Sequence, residues 1–288
     1  AGDGFTIYTQ NAADPTGTLP VNGFGGLTAT NYYNDAYDFS AGTFASAVPA
    51  GDHFVYAYAA SLTPTLSGSA GKTYDAGVTA DTSGLSVAAG TLLSADDSVT
   101  LIISGARYDD KNAGTGKTVT ADIAFASNPN NYALSSPTAA AAVGSIDKAA
   151  LTLAAATDTK TYDANADSTV LVSVGGLQGT DTVTGLAQSF DSKNAGSRTL
   201  SVNSGYIVND GNSGGNYSVT TQTASGTIAK AALTLAAATD TKTYDANADS
   251  TGTVSVSGLQ GSDTVTGLTQ SFDSKNAGSR TLSINGGY

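Results

Sequence analysis

Hydrophobic side chains between residues 149 and 230 tend to fall at every second place. Leu151 and Leu153 flank Thr152, Leu200 and Val202 flank Ser201, and Tyr217 and Val219 flank Ser218; Val170, Val172 and Val174 keep the same spacing. In an extended chain successive side chains point to opposite faces, so each run reads as a strand with one face in a core and a Thr/Ser face in water. Turn chemistry separates the runs: Gly175-Gly176, Gly179-Thr180-Asp181, Asn194-Ala195-Gly196 and Asn209-Asp210-Gly211-Asn212. The same alternation at Phe5-Thr6-Ile7-Tyr8 and Phe54-Val55-Tyr56-Ala57-Tyr58 predicts strands near the N-terminus.

The pattern repeats. Residues Lys148 to Tyr206 recur as Lys230 to Tyr288 at an offset of 82, and only seven of the 59 aligned positions differ. A diverged copy starts earlier: Lys72-Thr73-Tyr74-Asp75-Ala76 matches Lys160–Ala164 and Lys242–Ala246, and Lys111–Gly114 matches Lys193–Gly196 and Lys275–Gly278. A period near 80 is too long for a solenoid coil or a propeller blade and suits one small β domain per copy. The expected organisation is an aromatic-rich β module over 1–66, a diverged repeat over 67–148, a second repeat over 149–230, and a third over 231–288 that stops where its predecessor continues. Each repeat is expected to be a small β-sandwich or grasp-like unit. The junction Ile228-Ala229-Lys230-Ala231-Ala232-Leu233 has no Gly/Ser/Pro linker, which predicts domains joined stiffly in series.

Composition supports an all-β reading. There is no Met, and all 24 acidic residues are Asp, so two good helix formers are absent while Thr, Val, Tyr, Gly and Asn abound. The net charge of −12 repels nucleic-acid phosphates and anionic lipid and suits a well-solvated surface. Cysteine is absent, which is compatible with the cytosol and also with export of an unfolded chain. No apolar stretch approaches the length of a membrane span, so direct membrane insertion is not expected.

The run Lys-Thr-Tyr-Asp-Ala, the stretch Gly176-Leu177-Gln178-Gly179-Thr180-Asp181, the segment Phe190–Val202 and Gly215-Asn216-Tyr217-Ser218-Val219 together resemble the YDG-type repeat of large bacterial adhesins of the filamentous haemagglutinin class. The opening, from Phe5 to Ala76, is similar to the segment that joins the passenger of such adhesins to their YDG repeats. The resemblance implies a secreted protein at the bacterial cell surface, exported by two-partner secretion with an outer-membrane partner, and no catalytic residues. The Gly that follows Tyr-Asp in the family is Ala76, Ala164 and Ala246 here, which slightly weakens the expectation of a left-handed backbone at that position.

Candidate chemistry is sparse. The one histidine, His53, lies in an aromatic strand with no nucleophile-elbow motif around it. The carboxylate pairs Asp96-Asp97 and Asp109-Asp110 fall where solvated loops are expected. No phosphate loop, zinc spacing or dinucleotide fingerprint occurs, and no cofactor is expected apart from calcium. For calcium, the loop from Asn209 to Asn216 is richest in oxygen ligands, and Asp210, Asn212 and Asn216 are the candidates, set against a simple Asx-held turn. Asp158, Asp163 and Asp167 form a weaker set. A Lys-to-Asn isopeptide crosslink is conceivable from Lys160 or Lys193 to Asn165 or Asn194, given a carboxylic acid as proton shuttle. Tyr162 is expected to bury its ring in the core with its phenol satisfied by backbone, and Tyr74 and Tyr244 to do the same.

The expected role is a non-catalytic stalk or adhesive segment, extending or presenting a binding region for cell adhesion or biofilm. Two alternatives accompany it. One is a carbohydrate-binding site in the first 66 residues, on Tyr32, Tyr33, Tyr37 and Asp35, for a host or matrix glycan. The other is a strand-exchanging filament subunit that self-associates into fibres.

Overall fold

A computed structural model describes residues 59–92, 98–127 and 132–288, together with the backbone of five short strands nearer the N-terminus. Every regular element among the described residues is a strand. In the N-terminal part, Thr6–Thr9 and Thr30–Tyr32 both pair in parallel with His53–Tyr56, and Tyr37–Asp38 pairs antiparallel with Thr43–Phe44. Both strand runs expected from alternation there are therefore found.

The second repeat shows how the pattern becomes a fold. One three-stranded sheet holds Ser173–Gly175, Ala149–Ala154 and Tyr217–Gln222 in that order. A five-stranded sheet runs Asp158–Thr161, Ala224–Ala229, Gly196–Val202, Gln188–Phe190 and Asp167–Ser168. A third pair joins Thr182–Thr184 to Ile207–Asn209. The alternation marked several of the inward residues: Leu151, Leu153 and Leu200 are 0% exposed and Tyr217 3%; Ile228, on the last strand, is 1% exposed as well. Each such aliphatic side chain contributes about 1.5–3 kcal/mol relative to exposure. Phe190, Leu200 and Ile228 form a cluster against which Tyr162 leans.

One pairing in this repeat is parallel and places the site. Asp158–Thr161 runs beside the final strand of the repeat, Ala224–Ala229, with Lys160 opposite Ile228. The first repeat has the same arrangement, with Ala70–Thr73 beside Thr138–Asp147 and Lys72 opposite Ile146. The backbone N–H of the tyrosine then continues the ladder, Tyr74 to Asp147 O at 2.8 Å and Tyr162 to Ala229 O at 2.8 Å. The chain therefore turns at Tyr-Asp-Ala, at the point where one repeat hands over to the next.

The third repeat retains the antiparallel pairs Thr234–Ala236 with Ser255–Ser257 and Gln270–Phe272 with both Asp249–Ser250 and Leu282–Ile284. The chain divides into two compact units. The first comprises residues 1–149 with Gln178–Thr180 and Gly215–Tyr217, and the second comprises the remainder. Two short pieces of the second repeat thus belong with the unit built on the first.

Candidate functional site

The turn at Tyr-Asp-Ala is built around a lysine. The ammonium of Lys160 donates to Asn165 Oδ1 at 2.8 Å and to the carbonyls of Asn165 and Asp167 at 3.0 Å each, and it pairs with Asp163 Oδ1 at 2.8 Å. Lys242 repeats this with Asn247 Oδ1 at 2.6 Å and Asp245 Oδ1 at 2.9 Å. In the diverged repeat Lys72 takes Asp75 Oδ1 at 2.6 Å and the Gly77 carbonyl at 2.8 Å. An aromatic ring backs each ammonium: Tyr108, Phe190 and Phe272 lie with centroids 5.4, 5.5 and 5.7 Å away, close enough for cation–π attraction. The lysine hydrogen bond, above all, holds the carboxyls of Asp163 and Asp245 below the ordinary aspartate range. At Asp75 partial burial works the other way, and the Lys72 and Gly77 hydrogen bonds outweigh it, so that carboxyl is also lowered.

The aspartate also closes an Asx turn. Asp163 Oδ1 accepts the Asn165 N–H at 3.2 Å, Asp75 Oδ1 that of Gly77 at 2.9 Å, and Asp245 Oδ1 that of Asn247 at 3.2 Å. The alanine inside this ring is forced into the left-handed region: φ is 64° at Ala76, 68° at Ala164 and 65° at Ala246. The expectation drawn from alanine at this place is therefore corrected. The position needs positive φ, and the chain tolerates about 1–2 kcal/mol of strain at each copy.

That strain accompanies a contact made by the methyl group. A Cβ added at Gly179 would stand 2.8 Å from Ala76 Cβ, and one added at Gly261 would stand 2.7 Å from Ala164 Cβ. The alanine methyl of one repeat is thus seated on the bare Cα of a glycine in the following repeat, itself at φ +55°. The tyrosine faces the same way. Tyr74, 1% exposed, meets Tyr217 of the next repeat edge-on, with ring centroids 5.4 Å apart and planes at 78°. The Tyr217 hydroxyl accepts the Gln178 N–H at 2.8 Å, and Asn216 Oδ1 accepts the Ala113 N–H at 2.9 Å. In the second copy Asp263, again of the following repeat, is the main cause that raises the pKa of Tyr162, and both residues line one groove. Tyr244, expected to be buried, is 60% exposed.

Two successive copies of Tyr-Asp-Ala therefore grip the Gly-Leu-Gln-Gly loop of the repeat that follows. The YDG domain matches residues 58–140, 147–224 and 229–288, most of the chain. The chain belongs to the YDG domain family. No curated protein matches it, and no solved structure matches it.

The other candidate residues fall elsewhere in the YDG repeats or outside the described residues. Asp210 is 1% exposed, and its Oδ1 accepts the N–H groups of Asn212 and Gly214 at 2.8 Å each. Asn216 is 0% exposed and binds Ala113 N and Asn112 Oδ1. The calcium candidates Asp210 and Asn216 thus spend several of their ligand atoms on backbone and amide partners. Asp158 Oδ2 accepts from the Ser168 hydroxyl at 2.7 Å.

Asp109 and Asp110 share Lys117, at 3.3 and 2.6 Å. The Lys117 bond leads in holding the Asp110 carboxyl low. Partial burial opposes ionisation at Asp109, and its hydrogen bonds to Thr118 N and Lys117 outweigh it, so both carboxyls lie below the ordinary range. Neither is tuned as a proton donor. Lys160 and Asn165 do meet, yet the neighbouring Asp163 is kept ionised, the reverse of what a proton shuttle for crosslinking requires. The side chains of His53, Tyr32, Tyr33, Asp35 and Tyr37, and Asp96-Asp97, lie outside the described residues.

One feature of the YDG repeat was not foreseen. Gln188 is 1% exposed and mimics a strand: its Oε1 accepts Ala156 N–H at 2.7 Å and its Nε2 donates to Ala156 O at 2.9 Å and Ser168 Oγ at 3.0 Å. Gln270 repeats every contact with Ala238 and Ser250. The only sequence signal was a lone glutamine recurring beside Ser-Phe.

Proposed function

We propose that the chain is a non-catalytic stalk or adhesive segment of a secreted bacterial surface protein, whose YDG repeats extend or present a binding region for adhesion. The observation that carries this reading is the recurrence of one handover: Ala76 on Gly179 and Ala164 on Gly261, at the same separation and the same backbone angle. Repeating such a contact multiplies reach or valency, whereas it does nothing to improve an active site. The carboxylates of the corner are occupied by lysine, and the −12 charge suits a solvated surface at high local density. Passage through an outer-membrane secretion partner and engagement of a host or matrix receptor belong to the same proposal.

Small-angle scattering on chains carrying one, two and three repeats tests it. The maximum dimension should rise by a constant increment, on the order of 30–40 Å per repeat, given about 3.3 Å per strand residue. A dimension that stays nearly constant as repeats are added would refute the stalk.

A further inference from the structure

The second and third repeats differ at seven of 59 aligned positions, and two of those differences meet at one side chain. In the third repeat Asn285 follows the strand Leu282–Ile284, and its backbone N–H donates to Thr269 O at 2.9 Å. Its amide is held at both ends: Ser271 Oγ donates to Oδ1 at 2.9 Å, and Nδ2 donates to Thr269 Oγ1 at 2.9 Å. The counterpart in the second repeat, Asn203, keeps the serine anchor, Ser189 Oγ to Oδ1 at 2.8 Å, and a backbone bond to Ala187 O at 2.8 Å. It has no threonine anchor, because Ala187 stands where the third repeat has Thr269. The other difference is the residue that follows, Ser204 after Asn203 and Gly286 after Asn285. The fold does not demand glycine at 286. A Cβ there would meet nothing within 4 Å, and its φ is not positive.

We infer that Asn285-Gly286 is a self-modification site, converted to aspartate and isoaspartate through a cyclic imide, and that Thr269 is the positioning residue that sets its rate. The backbone nitrogen of Gly286 gives up its proton and bonds to Cγ of Asn285. The Cγ–Nδ2 bond breaks, and Nδ2 leaves as ammonia with that proton. Water then opens the five-membered imide at either carbonyl, which yields aspartate or isoaspartate. Glycine, without a Cβ, leaves its nitrogen the least hindered for this attack. The nitrogen must approach the face of the amide carbon, so the amide has to turn about Cβ–Cγ, and anchors at both ends resist that turn. Asn203 and Asn285 are both half-buried, so exposure does not distinguish them; the following residue does. The hydroxyls of Ser271 and Thr269 can donate as well as accept, so they hold a carboxylate at 285 as readily as the amide. The third repeat thus gains a negative charge and keeps both contacts. Isoaspartate also adds a methylene to the main chain directly after the strand, at the residue whose N–H closes on Thr269 O.

The test holds the 288-residue chain in warm, mildly alkaline buffer and follows it by tryptic mass spectrometry, with electron-transfer fragmentation to separate aspartate from isoaspartate. Conversion is expected at Asn285, with Asn203 unchanged over the same period. Thr269→Ala installs the residue that the second repeat carries at this place, so the fold accepts it. It should speed conversion by about two- to tenfold, the factor that one net hydrogen bond represents. Thr269→Ser, which restores the acceptor, should return the native rate, and Gly286→Ser should stop conversion at Asn285. No conversion at Asn285, conversion of Asn203 at the same rate, or a Thr269→Ala rate equal to the native one would each overturn the assignment.

Discussion

Replacing Gly261 by alanine tests the handover most directly. The new Cβ would stand 2.7 Å from Ala164 Cβ, about 1 Å inside a normal carbon–carbon contact of about 3.5–4.0 Å. Overpacking of this kind costs about 1–3 kcal/mol. The backbone at Gly261, with φ +55°, adds about 1–2 kcal/mol for an L side chain in the left-handed region. The single variant should therefore lose about 2–5 kcal/mol from the contact between the second and third repeats. Ala164→Gly alone should be near neutral. It relieves strain at φ 68°, but it loosens the unfolded chain by about 0.5–1 kcal/mol and removes a methyl contact.

The double variant separates the two terms. With glycine at 164 the overlap vanishes, and only the backbone cost at 261 remains. The coupling should equal the overlap, about 1–3 kcal/mol, well above the 0.3–0.5 kcal/mol scatter of independent sites. Hydrogen exchange of the segment from Tyr162 to Ala166, followed by mass spectrometry across a denaturant series, reads the local opening free energy even where the repeats melt separately. If Gly261→Ala costs the same with alanine or glycine at 164, the methyl does not sit on that glycine and the handover is wrong.

Other expectations follow from the corner and the core. Gln188→Ala strands the Ala156 N–H and carbonyl and should cost about 2–3 kcal/mol in urea denaturation, with Gln270→Ala doing the same one repeat later. Asp163 has a lowered folded pKa, so its contribution is fully present above the ordinary value of 3.8 and is lost as pH falls through the folded value. An acid titration of stability should therefore steepen below about pH 4, and Lys160→Met should flatten that limb. Intact mass should equal the sequence mass with no ammonia lost, since Asp163 is held as the carboxylate; a loss of one ammonia per repeat would revive the Lys160–Asn165 crosslink. Chelation with EDTA should leave the melting temperature unchanged, because Asp210 Oδ1 is already shared by two backbone amides; a clear drop would restore calcium to the Asn209–Asn216 loop.

Alternation, turn residues and the offset of 82 were enough to establish strands, repeats and core residues such as Leu151, Leu153, Leu200 and Tyr217. These depend on local backbone preference and on which face of a strand is apolar, both written into neighbouring residues. The lysine clamp was within reach for the same reason, since Lys160, Asp163 and Asn165 lie within five positions of one another. What the corner does was decided elsewhere. Alanine at position 164 is left-handed because an Asx turn and a lysine impose it, against the residue's own preference. Asn216, a candidate ion ligand in the chain order, instead holds an amide 103 residues away. Contacts of that span are chosen by how closed β units stack, and no short window of sequence contains both partners.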